Sequence, residues 1–307
     1  MIQYEATKEV WDAHVRNSEL VPSDGTCVAV LNLAARNSDP ALATSVIQIL
    51  SARETPLSPF HYEALVAAYT GIEDIKTAFR VLAIMEKAGH DPAASSTRPL
   101  YLYLSTSDQL CHEAWRIVNR LHKDGHTIPI TAVNVIIESL SKFGSYDAAF
   151  EYYKRLHEVC PRGPNTETIN VTLQGLGRTR TGGKARAMFL ASEIQALNIK
   201  PDILTYDRLI LICLTDDDYE DAFRYLEEME EVGRESVEHN QMGWWMRKGT
   251  AAMMVRRCAL SGDERAWEIV DGMTERGMGV VKLKEWARAN WRKGESGNER
   301  LGTVAKA

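Results

Sequence analysis

No stretch of this 307-residue chain is both apolar enough and uninterrupted enough to cross a membrane. The five cysteines, Cys27, Cys111, Cys160, Cys213 and Cys258, are odd in number and far apart. That spacing argues against a disulfide framework and fits a reducing compartment. Strand-period alternation of apolar and polar residues is also missing. Glu5, Glu9 and Asp12 place acids where a secretory signal or an acid-poor transit peptide would not have them. Net charge is −6. The segment from Lys282 onward holds seven Lys/Arg and three Glu, so it carries +4 and the remainder carries −10. An acidic body opposes strong nonspecific binding to phosphates.

What the chain does contain is a repeat. Ala43, Ala78, Ala114, Ala149, Ala187, Ala222 and Ala266 recur at separations of 35, 36, 35, 38, 35 and 44 residues. A bulky apolar residue usually follows: Phe79, Trp115, Phe150, Met188, Phe223, Trp267. Seven positions after each Ala stands Leu50, Met85, Leu121, Leu156, Ile194, Met229 or Met273. A spacing of seven puts both residues on one helix face. The pattern predicts that Gly89, Gly125, Gly233 and Gly277 end the second helix of a hairpin. Connectors containing Pro56, Pro92, Pro129, Pro164 and Pro201 follow. Thr26, Thr97, Thr168 and Thr205 are expected to cap the next helix.

The expected fold is an all-α, right-handed superhelical solenoid of about seven helix-turn-helix repeats. The repeats are read as 24–58, 59–94, 95–129, 130–165, 166–202, 203–237 and 247–281. Residues 1–23 read as the trailing half of an earlier repeat, so the chain is expected to begin mid-repeat. Residues 238–246 read as an insertion, and 282–307 as a basic capping helix with a disordered tail.

The residues Thr205–Gly233, His61–Pro92 and Thr166–Asp202 closely resemble pentatricopeptide repeats. The Ala-aromatic, apolar, Gly, Pro-Asp order separates them from the related 34-residue tetratricopeptide repeat. The resemblance implies an organellar, mitochondrial protein that binds single-stranded RNA. It also implies that the fifth and last residues of each repeat read one base together. The corresponding pairs are Val28 with Ser58, Glu63 with Ala94, Pro99 with Pro129, Asn134 with Asn165, Asn170 with Asp202, Asp207 with Val237, and Ala251 with Val281. Asn170 with Asp202 resembles a uracil reader and Asn134 with Asn165 a pyrimidine reader, while Asp207 is half a pair. An Asn amide offers both a donor and an acceptor to a base edge. The wedge residues that the family keeps apolar are here Gly25, Phe60, Ser96, Thr131, Glu167, Leu204 and Lys248, so the expected footprint is short and pyrimidine-containing.

Other patterns read as structural. Gly177, Gly182, Gly183 and Lys184 miss the phosphate-loop spacing, and Ala185 replaces the required hydroxyl. Arg178, Arg180, Lys184 and Arg186 then make a basic turn. His122 and His126, with Cys111 and His112 upstream, lack a zinc-site partner pair. Asp216, Asp217 and Asp218 lack calcium-loop alternation. Trp244 and Trp245 read as packing for the last repeat. Lys282, Lys284, Trp286, Arg288, Trp291 and Arg292 are candidates for contact with nucleic acid or a partner. No nucleophile–base–acid set assembles, so binding rather than catalysis is expected, with no cofactor, metal or small-molecule substrate. Two readings stay open: an RNA-binding factor in transcript stability, processing or translation, and a protein-interaction scaffold for ribosome or respiratory-complex assembly.

Overall fold

The computed structural model describes residues 2–17, 20–179, 182–216, 218–235 and 243–291. Over these the chain is an all-α repeat solenoid. It divides into two compact units, 1–175 and 176–307.

In the first unit α1 (Ile2–Val10) runs into a π-helical turn, Trp11–Val15. Four complete hairpins follow: α2 (Asp24–Arg36) with α3 (Pro40–Ala52), α4 (Pro59–Gly71) with α5 (Ile75–Lys87), α6 (Ala94–Leu104) with α7 (Asp108–Lys123), and α8 (Ile130–Lys142) with α9 (Tyr146–Lys154). A 3-10 turn at Leu156–Glu158 follows α9, and α10 (Thr166–Leu176) comes next. The second unit contains α11 (Gly183–Ala196), α12 (Ile203–Cys213), α13 (Glu220–Glu235), α14 (Lys248–Ser261), α15 (Arg265–Glu275) and α16 (Val281–Ala289). First helices stack on first helices: α2 on α4, α4 on α6, α6 on α8 and, in the second unit, α12 on α14. α16 stacks on α14 in the same way, so it stands where a further first helix would.

The alanine ladder explains this layering. All seven alanines are buried, and so are the seven apolar residues one heptad later. A methyl group lets the backbones of neighbouring hairpins approach closely, and the large apolar residues fill the space between them. Gly71, at the end of α4, is such a close approach: a Cβ built there would overlap Ser38 in the α2–α3 turn. Ser38 is itself held at φ 54°, which limits its freedom to yield. Gly71→Leu is therefore expected to lower stability by about 1–3 kcal/mol. The helix-propensity gain, under about 1 kcal/mol, does not offset that. Urea denaturation of the full chain checks it.

Polar stitches join the hairpin ends. Asp39 receives the Lys8 ammonium at 2.6 Å and the Tyr4 hydroxyl at 2.8 Å. Lys142 Nζ donates to the Ser105 carbonyl at 3.1 Å, and Arg257 donates to the Asp216 carbonyl at 2.9 Å. Arg265 grips both Glu220 oxygens, at 2.8 and 2.6 Å, while its guanidinium lies 3.7 Å from the centre of the Phe223 ring. These bonds tie turns of adjacent repeats together.

Gly89, Gly125 and Gly277 adopt positive φ just past α5, α7 and α15. Gly233 does not end its helix. It lies inside α13, where its missing side chain gives Trp244 room to pack against the backbone. The threonines also differ from expectation. Thr26, Thr168 and Thr205 sit three residues after the capping residues Ser23, Asn165 and Asp202, whose side chains accept their amide N–H groups. The Thr168 and Thr205 hydroxyls in turn accept the backbone N–H of their capping residue. Thr97 instead lies a residue deeper in α6 and donates to the Ala94 carbonyl. Pro99 lies inside α6, where it removes one helical donor.

Candidate nucleic-acid interface

The fifth-position residues all lie on first helices, because each first helix starts at the repeat boundary or within one residue of it. Glu63 on α4 accepts from the Ser95 and Ser96 hydroxyls at 2.7 and 2.9 Å, so it ties α4 to the start of α6. Asp207 on α12 is 4% exposed and accepts the Arg247 backbone N–H at 2.8 Å, with the Arg247 guanidinium 3.8 Å away. Its carboxylate thus satisfies a donor at the N-terminus of α14. Val28, Pro99 and Ala251 bring no polar side chain to the row.

Asn134 and Asn170 carry the amides. Asn170, on α10, is 6% exposed and bonded within the fold. Asn134, on α8, is 4% exposed, and neither its Oδ1 nor its Nδ2 has a hydrogen-bond partner among the described residues. Thr131, one turn earlier on the same face, also has a buried hydroxyl without a partner. Leaving such a side-chain group unmet costs about 1–3 kcal/mol. The last-position residues have a different task. Ser58, Pro129 and Asp202 are the capping residues of α4, α8 and α12, and Asn165 Oδ1 accepts both the amide and the hydroxyl of Thr168 at 2.9 Å. Asn134, Asn165 and Asn170 belong to the first unit, and Asp202 and Asp207 to the second.

The remaining candidate residues pack. Trp245 is buried, with the Arg276 guanidinium 4.4 Å from its ring centre, and Trp267 stacks on Trp291 at 5.4 Å. Arg256 lies over Trp286 at 5.6 Å. On α16, Lys282 and Arg288 are exposed and Lys284 is half-buried, whereas Arg292 lies outside the described residues. Lys184 is bound to the Asp218 carbonyl and the Asp221 carboxylate, which turns it away from any phosphate-loop role. Arg180 and Asp217 lie outside the described residues. His112 pairs with the Tyr152 hydroxyl at 2.6 Å. Among the described residues no three His, Cys, Asp or Glu side chains are grouped to hold a metal ion, and no helix is long and apolar enough to cross a membrane. All five cysteines are buried free thiols. Burial pushes Cys111 up to about 11, and Cys213 and Cys258 up to about 12, so all three are held in the unreactive thiol form.

Sequence reasoning did not foresee that Glu63 and Asp207 bind the next first helix, or that Asn134 would be fully enclosed. The only signal for the first was the serine pair Ser95–Ser96, 32 and 33 positions after Glu63.

A family model described as "Pentatricopeptide repeat-containing protein" matches residues 24–156, and a "Pentatricopeptide repeat domain" model matches 189–235. A pentatricopeptide repeat-containing protein of Arabidopsis thaliana, named as mitochondrial, is 22% identical over 269 residues, covering 82% of this chain and 41% of that protein. A second, putative one from the same plant is 28% identical over 153 residues, covering 50% of this chain and 21% of its own length. The chain thus spans less than half of either relative. Among solved structures, maize pentatricopeptide repeat protein PPR10 aligns with 94% of this chain and 44% of its own at 17% identity and a TM-score of 0.42. PPR10 in complex with an 18-nucleotide psaJ RNA element aligns at 17% identity and a TM-score of 0.46, covering 94% and 42%. The two family models fall one in each compact unit and together span more than half of the sequence, and so the chain belongs to the pentatricopeptide repeat family.

Proposed function

We propose that the chain binds a short, pyrimidine-containing stretch of single-stranded RNA along its first helices, and that it acts in a mitochondrion on transcript stability, processing or translation. It binds and does not catalyse. Asn134 and Asn170 read base edges, and Asn165 and Asp202 assist from the helix starts, whereas Asp207, the remaining candidate, is held by the Arg247 amide and reads no base. The observation that carries this reading is the Asn134 amide, enclosed in the fold with both polar atoms unmet in a member of this family. A base edge that reaches the amide when its cover shifts supplies a donor and an acceptor and removes that penalty. The name of the Arabidopsis relative supports the mitochondrial location. The 1–23, 24–281 and 282–307 division is part of the same proposal, with the array as the binding element.

A second reading, a scaffold for protein assembly, is favoured by Glu63 and Asp207. Their side chains are used inside the fold, and this shortens the row available to RNA. Fluorescence anisotropy separates the two. A U-rich strand is expected to bind more tightly than an A-rich strand of equal length. Asn170→Ala should reduce that preference by about 1–3 kcal/mol, the scale of one base-specific contact. Equal, undetectable binding of both strands would favour the scaffold.

A further inference from the structure

The second helices α5 and α7 pack side by side. Their exposed positions carry Lys76, Arg80 and Lys87 on α5 and Arg116, Arg120 and Lys123 on α7, against a single exposed carboxylate, Glu113. Lys76, Arg116 and Arg120 line one cleft between the two helices, together with Glu113 and Ile117. This concentration stands out on a chain of net charge −6. Elsewhere in the same unit Lys8, Arg16, Arg53, Lys154, Arg155 and Arg162 each face a carboxylate. None of the six cations on α5 and α7 forms an ion pair among the described residues. Arg116, Arg120 and Lys123 rise along α7 at one-turn steps, as Lys76 and Arg80 do along α5. Six like charges against one carboxylate on one face repel one another, and a bound anion relieves that repulsion.

The chemistry of the face selects the anion. A protein-binding surface centres on aromatic or apolar anchors with few charges. Here the apolar side chains are Ile84 at the edge and the half-buried Ile117, while Trp115 is turned into the core. Without exposed rings the face cannot stack bases. Arginine forks and lysine ammonium groups without base-reading side chains suit phosphate oxygens. The face is built by second helices, whereas every fifth-position residue stands on a first helix.

We propose that the α5–α7 face binds the phosphate backbone of a nucleic-acid strand, independently of sequence and separately from the first helices. The test uses the full chain carrying Lys76→Gln, Arg80→Gln, Arg116→Gln and Arg120→Gln. Affinities for U-rich and A-rich RNA strands are measured between about 50 and 200 mM salt. All four side chains are exposed, so the circular dichroism spectrum and melting curve should match wild type. The slope of log affinity against log salt is expected to fall by about 3 for both strands, at about 0.7 per lost phosphate contact. Lys87→Gln with Lys123→Gln, farther along the same two helices, should lower the slope by about half as much, and this pair serves if the fourfold variant does not fold. Unchanged slopes overturn the proposal, as does a slope that holds while a co-purifying acidic protein is lost. The outcome is independent of base reading: Asn170→Ala changes the U-over-A preference and leaves the slope, whereas the α5–α7 variant changes the slope and leaves the preference.

Discussion

Replacing Trp115 with alanine is expected to cost about 3–5 kcal/mol of stability, the range for removing a large buried aromatic. Trp115 is 4% exposed on α7, and its indole lies 4.4 Å from the Tyr152 ring of α9 at an interplanar angle of 11°. The Arg155 guanidinium sits 5.8 Å from the indole centre, and Tyr152 is held in place by His112 at 2.6 Å. One side chain therefore links two successive hairpins. In a repeat array, stability resides in such nearest-neighbour interfaces, so the loss should spread beyond the altered repeat. Equilibrium urea denaturation followed by circular dichroism reads the effect. A loss below about 1 kcal/mol would mean that the interface is held by something other than this stack. Tyr152→Phe removes only the hydroxyl and should cost about 1 kcal/mol.

Asn134→Leu is expected to move stability and binding in opposite directions. Leucine branches at Cγ as asparagine does, carries two methyl groups in place of Oδ1 and Nδ2, and needs no hydrogen bonds. The substitution removes the desolvation penalty of two unmet polar atoms, worth about 1–3 kcal/mol, and adds a modest packing strain. The folded chain should gain up to about 2 kcal/mol once that strain is counted. U-rich RNA should bind more weakly by about 1–3 kcal/mol, since one base contact is lost. A group that destabilises the free protein and strengthens its complex is the signature of a residue kept for binding. A variant that is less stable and binds RNA unchanged would place Asn134 among ordinary core residues.

Much of the fold was legible because the features that build it are local. An alanine followed one heptad later by a large apolar residue defines a helix face, and the 35-residue recurrence defines a stack. The seven alanines and their partners are all buried, as the spacing requires. What could not be read depends on residues far apart in the chain. Gly233 looked like a helix end, yet Trp244, 11 positions on, packs over it and the helix continues. The threonines stood in the right neighbourhood, but the reciprocal bond between Asn165 and Thr168 gives the capping role to the asparagine. The π-helical turn at Trp11–Val15 has no sequence mark that we can identify.

The candidate site was legible in position and not in state. Counting to the fifth residue reaches a first helix in every repeat. Whether that residue is available depends on the helix that follows. Arg247, 40 positions later, donates its amide to Asp207, and Ser95 and Ser96 close on Glu63. No local pattern around Asn134 forecast its enclosure, because α8 is covered by residues from neighbouring helices.

The most direct test of the RNA reading is photocrosslinking of a U-rich strand carrying 4-thiouridine to the full chain, with the adducts located by mass spectrometry. Base-contacting adducts are predicted in α8 and α10, around Asn134 and Asn170, and they should disappear in the Asn134→Leu, Asn170→Ala double variant. Adducts confined to second helices, or the same adducts in the double variant, would contradict the assignment of base reading to the first helices.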